Sequence, residues 1–266
     1  MFKGATLGDH ASFVGATMEG EVSFEGATLE GNAWFDGATI DGSLQFDKVS
    51  IEGKASFEGA TMKGEVDFSL SNISYLTFKD ATFNNMSGQE EACRTARRIQ
   101  ERLGDRVLAD YHFYREMEAK RKQKYKMFSL KLMLKKPFLK LMFKLGLGGA
   151  DKHLKFFVKQ RRIYFGFLEL PVQYIFGYGV HPWRVITTWL LTVFCLAFVY
   201  WMGNGVEAAD SLWEYIYFSI VTAATPGYGG YHPKPGFYHG LASFEAIFGT
   251  FMWAAFIATF ARKYMR

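Results

Sequence analysis

Residues Thr222-Ala223-Ala224-Thr225-Pro226-Gly227-Tyr228-Gly229-Gly230 carry main-chain chemistry rather than side-chain chemistry. Glycine reaches positive φ without steric penalty, so glycines at alternate positions let successive carbonyl oxygens face one axis. A row of such carbonyls can replace the hydration shell of a monovalent cation. Thr225, Pro226, Gly227, Tyr228 and Gly229 are the candidate coordinating residues, and Thr222 supports them from three residues upstream. The same three letters recur at Gly177-Tyr178-Gly179, but no threonine precedes them and Pro182 and Arg184 follow, so that copy reads as a turn. The six histidines (His10, His112, His153, His181, His232, His239) lack metal-ligand spacing, and no nucleophile motif or phosphate loop is visible. Side-chain catalysis is not expected.

A carbonyl-lined loop at membrane depth needs flanking spans, because irregular backbone is tolerated there only where it lines a cavity. Arg184 is followed by 22 uncharged residues, Val185 to Val206, and about 20 apolar residues cross a bilayer core as a helix. A second apolar stretch, Phe237 to Ala261, carries one acidic residue, Glu245, and ends in Arg262-Lys263-Tyr264-Met265-Arg266. Trp183, Tyr200 and Trp201 mark span ends as interfacial aromatics do. The aromatic amphipathic segment Leu212–Phe218 leads into the loop. An ionisable residue inside a span is a functional candidate by default, and Glu245 is read as bracing the loop or pairing with Lys234.

In this order, Trp183 to Arg266 resembles the pore domain of two-transmembrane, tetrameric potassium channels. The resemblance implies an outer helix (183–203), a pore helix (211–224), a filter (225–229) and an inner helix (237–262). It also implies a homotetramer with K+ as permeant ion, Na+ being a second possibility. Gly249, twenty residues past Gly229, matches the hinge of that family, and Thr250, Trp253, Ile257 and Ala261 match cavity-lining positions. Two positions depart from the pattern. Pro226 stands where such filters carry Val or Ile; it lacks an amide hydrogen and biases Thr225 away from the helical region. Gly230 stands where Asp or Asn is usual. Both changes point to weakened K+ over Na+ selectivity.

The first third of the chain is repetitive. The larger apolar residues Leu7, Phe13, Met18, Phe24, Leu29, Phe35, Ile40, Phe46, Ile51, Phe57, Met62, Phe68 and Ile73 follow alternating steps of six and five, then five and five to Phe78 and Phe83. A small or modest apolar residue lies two before most of them, and Gly-Ala-Thr recurs at Gly4, Gly15, Gly26, Gly37 and Gly59. An amphipathic helix of eleven-residue period would carry three core contacts per unit and fewer glycines. This stretch resembles the pentapeptide-repeat family, which implies a right-handed, four-sided β-solenoid of roughly four coils with Ala and Phe or Leu stacked inside.

The reading is a mixed fold in three parts: a solenoid (1–88), a helical linker (89–180) broken near Gly104-Asp105, and an all-α pore (181–266). Charge separates them. Residues 1–90 hold 5 Lys+Arg against 14 Asp+Glu, and 115–162 hold 16 against 3. Basic residues beside a span mark its cytosolic side. The chain is therefore expected in the cell membrane, multi-pass, with both termini cytoplasmic and 203–211 outside. Residues 126–145 interleave lysines with Leu, Met and Phe, as segments lying on anionic lipid do. Two cysteines, Cys93 and Cys195, make no disulfide framework. No nucleic acid partner is expected, and no protein partner of the solenoid is legible. The alternative is a membrane-anchored interaction scaffold, its acidic solenoid taking basic partners and its pore-like part not conducting.

Overall fold

The computed structural model describes residues 1–144, 170–224 and 230–265, and for 126–144 the backbone alone. The chain divides into two compact units, Met1–Val158 and Lys159–Arg266.

The first unit begins with short parallel strands stacked along four faces. One face aligns Thr6, Thr28, Ser50 and Asn72, the next Ala11, Ala33, Ala55 and Leu76, the third Thr17, Thr39, Thr61 and Thr82, the fourth Val22, Leu44 and Val66. Partners are 22 residues apart, so two eleven-residue units make one coil and the chain winds about four coils. The Gly-Ala-Thr glycines sit at corners with φ between +64° and +67° and open space around a would-be Cβ, so they are needed for their dihedral rather than for room.

Inside, phenylalanines form two columns. Phe13, Phe35, Phe57 and Phe78 stack at 4.6–5.0 Å between ring centroids, and Phe2, Phe24, Phe46 and Phe68 at 4.9–5.1 Å. That interval matches the strand spacing, so backbone pairing and ring stacking share one repeat. From Phe24 to Phe78 these rings are buried, each contributing about 1.5–3 kcal/mol of hydrophobic stabilisation. In the last coil the spacing falls to 21, with the register shift between Ile73 and Tyr75.

A solenoid end exposes unpaired strand edges. Here a helical pair covers it. Helix α1 (Met86–Leu103) is capped by the Asn85 side chain accepting from Ser87 N at 3.0 Å and stops at Gly104, φ +78°. Helix α2 (Arg106–Lys144) follows after Asp105, the break expected from the sequence. Ala92, Ala96 and Ile99 of α1 belong to the same core as the phenylalanine columns, and Gln100 Nε2 donates to Leu76 O at 2.8 Å. The segment expected as a linker thus begins as the solenoid's cap. Buried Glu116 of α2 ties the pair together, accepting from Lys120 at 2.6 Å and Arg97 at 2.9 Å. Burial alone would raise its pKa, but those cations hold it below the usual carboxylate value.

The second unit is helical: α3 (Leu170–Tyr174), a single turn at Gly177–Gly179, α4 (Pro182–Met202), α5 (Leu212–Ala224) and α6 (Phe237–Tyr264). The second Gly-Tyr-Gly copy is indeed a turn; its Tyr178 carbonyl accepts from Arg262 Nη1 at 2.8 Å. Pro182 starts α4 at a position where no amide donor is needed. Helices α4 and α6, of 21 and 28 residues and mean hydropathy 2.0 and 1.6, are long and apolar enough to cross a membrane.

Candidate functional site

Helix α5 begins with a local device. Glu214, in its first turn, accepts from Asp210 N at 2.6 Å and Ser211 N at 2.8 Å, satisfying amides the helix leaves over. The Ser211-Leu212-Trp213-Glu214 spacing announces this capping in the sequence. Beyond α4, Val206–Glu207 pairs antiparallel with His232–Pro233, and Lys234 N donates to Gly205 O at 2.8 Å. Two segments, one before α5 and one after residues 225–229, are therefore stitched together, so the chain leaves and returns at one place. No hydropathy pattern foretold this two-residue pairing.

The second half of α5 is held at two points. Glu245 of α6, 1% exposed, accepts from the Tyr200 hydroxyl of α4 at 2.9 Å and hydrogen-bonds Ser219 of α5. Val193 O of α4 lies 2.8 Å from the same Ser219 Oγ, so the one hydroxyl proton has two acceptors in reach. One carboxyl thereby joins three helices, and Glu245 braces α5 instead of pairing with Lys234. Ser219 was not singled out in the sequence, and Tyr200 was marked only as an interfacial aromatic, whereas it is buried against Glu245; the available signal was that a carboxyl in an apolar span requires donors.

The second hold is steric. A Cβ on Gly249 would stand 2.0 Å from Ala223 O and 2.7 Å from Ala223 C. Gly249 is thus the point where α6 lets the last turn of α5 seat against it, and α6 runs unbroken through it. The position read as a hinge is a packing notch in this conformation.

The remaining residues fall on different sides of α6. Ile257 is 62% exposed, Thr250 is exposed with its hydroxyl donating to Ala246 O at 2.9 Å, and Ala261 is half-buried. Ala246, Ile247, Thr250, Phe251 and Ala254, all of α6, line an open groove of about 520 Å³. Trp253 departs from the expectation: its ring lies 5.8 Å from that of Trp189 on α4, so it packs toward the outer helix instead of facing a cavity. Thr222 is half-buried in the last turn of α5. Thr225, Pro226, Gly227, Tyr228 and Gly229 lie outside the described residues, as do the lysine side chains of 126–144. Among the described residues no cluster of three or more His, Cys, Asp or Glu suits a metal ion.

Residues 2–50 match the family model for pentapeptide repeats, in nine copies, and residues 186–266 match the model named ion channel. Comparison with curated proteins and with solved structures finds no match. The chain joins a pentapeptide-repeat solenoid to an ion channel domain, and that domain with its two membrane-capable helices makes it a membrane protein.

Proposed function

We propose that four copies assemble around one axis into a cation channel that passes K+ through the carbonyls of Thr225, Pro226, Gly227, Tyr228 and Gly229. The observation that carries this reading is the doubly fixed second half of α5, held at Ser219 by Glu245 and at Ala223 by the close approach of Gly249, two residues before Thr225. A helix C-terminus carries a partial negative charge of about half an elementary charge, which favours a cation shedding its water there. Support at that point suits a loop whose carbonyl oxygens must together replace the ion's hydration shell.

The apolar face of α6 supports assembly. Phe244, Ile247, Phe251 and Ile257 are exposed in a single copy, and neighbouring subunits or a shared cavity would take them up. Pro226 removes one amide donor from the filter, so the channel discriminates K+ from Na+ less sharply than a filter with Val there. The basic residues before α4 and at the end of α6 favour cytoplasmic termini. The lysine-rich stretch 126–145 fits anionic lipid headgroups.

The test is flux from liposomes loaded with K+ or Na+, using the full chain, with the mass of the detergent-solubilised assembly measured in parallel. Wild type conducts K+ as a tetramer, and Gly227→Ala, which penalises positive φ, abolishes flux while leaving the tetramer intact. Flux unaltered by Gly227→Ala, or an assembly of another number, overturns the reading.

A further inference from the structure

At the junction of the last solenoid coil and α1 lies a cleft of about 630 Å³. One edge is arginine. Arg94, Arg98 and Arg102 recur every four residues along α1, placing their Cα atoms about 6 Å apart on one face of the helix. They are not equivalent. Arg94 is already paired with Glu90 and Glu116. Arg102 reaches across the cleft, its Nη2 donating to Ile73 O at 3.4 Å. Arg98 is exposed and has no carboxylate partner among the described residues. The carboxylates nearby are turned to the solenoid corner: Glu91, which also lines the cleft, accepts from Phe68 N at 3.3 Å and Ser69 Oγ at 3.2 Å, and Asp67 accepts from Ser69 N at 2.7 Å. The turn beneath adds hydroxyl groups from Ser69 and Ser71, and the start of the next strand adds the Asn72 amide.

The other lining is apolar: buried Phe68, Ile73 and Ile99, and at the lip Leu70. Leu70 is 80% exposed and held at φ +54°. The equivalent corners of earlier coils carry Gly4, Gly26 and Lys48, so an exposed leucine at a left-handed position is particular to this coil. The register shift between Ile73 and Tyr75 falls in the same coil and alters the strand that Arg102 reaches. A cleft of this size takes a molecule much larger than inorganic phosphate.

We propose that this cleft binds a small molecule in which phosphoryl groups, taken by Arg98 and Arg102, are joined to an uncharged apolar or aromatic body lying against Leu70, Phe68 and Ile99. Guanidinium forks bind phosphoryl oxygens bidentately, and three arginines against the one lining carboxylate, Glu91, leave that edge net positive within an otherwise acidic solenoid. Both a nucleotide, through its base, and a phosphorylated lipid, through its acyl chains, have this chemistry. The site does not depend on ion conduction.

Isothermal titration of the full chain in detergent uses three probes: ATP, a short-chain water-soluble phosphoinositide, and inorganic pyrophosphate. Saturable binding of ATP identifies a nucleotide as the source, and binding of the phosphoinositide identifies a phosphorylated lipid. In either case pyrophosphate binds more weakly, and Arg98→Ala with Arg102→Ala weakens binding at least about tenfold. Arg98→Lys alone retains part of the affinity, and Lys63→Ala, on another face, changes nothing. Arg98 is exposed and unpaired, so Arg98→Ala alone serves if the double variant fails to fold. Absence of saturable binding by ATP and phosphoinositide, equal affinity for pyrophosphate, or binding indifferent to Arg98→Ala overturns the proposal.

Discussion

Replacing Gly249 by alanine adds one methyl group where α6 meets the last turn of α5. The new Cβ would stand 2.0 Å from the Ala223 carbonyl oxygen, whereas ordinary contact begins at 3.4 Å, so one element must retreat by about 1.4 Å. The obstacle is backbone, which cannot rotate aside as a side chain does. Ala223 precedes Thr225 by two residues, so the displacement is delivered to the start of the filter. Overpacking of this kind costs about 1–3 kcal/mol, partly offset by the roughly 1 kcal/mol by which alanine favours a helix over glycine. Gly240 on the same helix supplies the control, since nothing lies within 4 Å of a Cβ there. Gly240→Ala should raise the unfolding temperature and leave K+ and Na+ flux unchanged. Gly249→Ala should lower the unfolding temperature relative to Gly240→Ala and reduce the K+/Na+ flux ratio in liposomes. A pure hinge predicts something else: altered opening with unaltered selectivity and stability. A Gly249→Ala protein as stable as Gly240→Ala with the wild-type flux ratio would refute the notch.

Glu245→Leu strands the Tyr200 hydroxyl and costs about 3 kcal/mol, and a double-mutant cycle with Ser219→Ala on thermal unfolding should show coupling between the two positions. His112 of α2 is fully buried, neither ring nitrogen has a hydrogen-bond partner among the described residues, and burial with nearby Arg115 pushes its pKa down to about 4, against a weaker opposing pull from Asp105. Because the unfolded chain binds the proton near pH 6.5 and the folded one near 4, stability of the solenoid unit falls as pH drops through that window, by about 3 kcal/mol in all; His112→Leu should abolish that part of the acid sensitivity in urea unfolding followed from pH 7 to 4. Pro226→Val restores an amide donor and should raise the K+/Na+ flux ratio, and an unchanged ratio would remove the proline from the account of selectivity. Neutralising Lys131, Lys135, Lys136, Lys140 and Lys144 should erase any preference for anionic over neutral liposomes, each lysine near such a surface being worth about 1 kcal/mol.

Features that repeat or run continuously along the chain were legible without coordinates. The six-and-five spacing of large apolar residues implied stacked coils because each coil sees only its neighbours. The two spans were readable because bilayer thickness sets helix length, and Gly104 announced the break between α1 and α2. What required the tertiary structure was every relation between distant residues that no period encodes. The sequence marked Glu245 as unusual, but only packing supplied Ser219, 26 residues before it, and Tyr200, 45 before it. It marked Gly249 by distance from Gly229, whereas the Ala223 carbonyl explains why a side chain is excluded there. Trp253 was placed on a cavity by family resemblance, but an indole also packs well against another indole, and Trp189 stands on the adjoining helix. Likewise the eleven-residue repeat could not reveal that α1 would cover the solenoid's open edge, because that edge exists only once the coils are stacked.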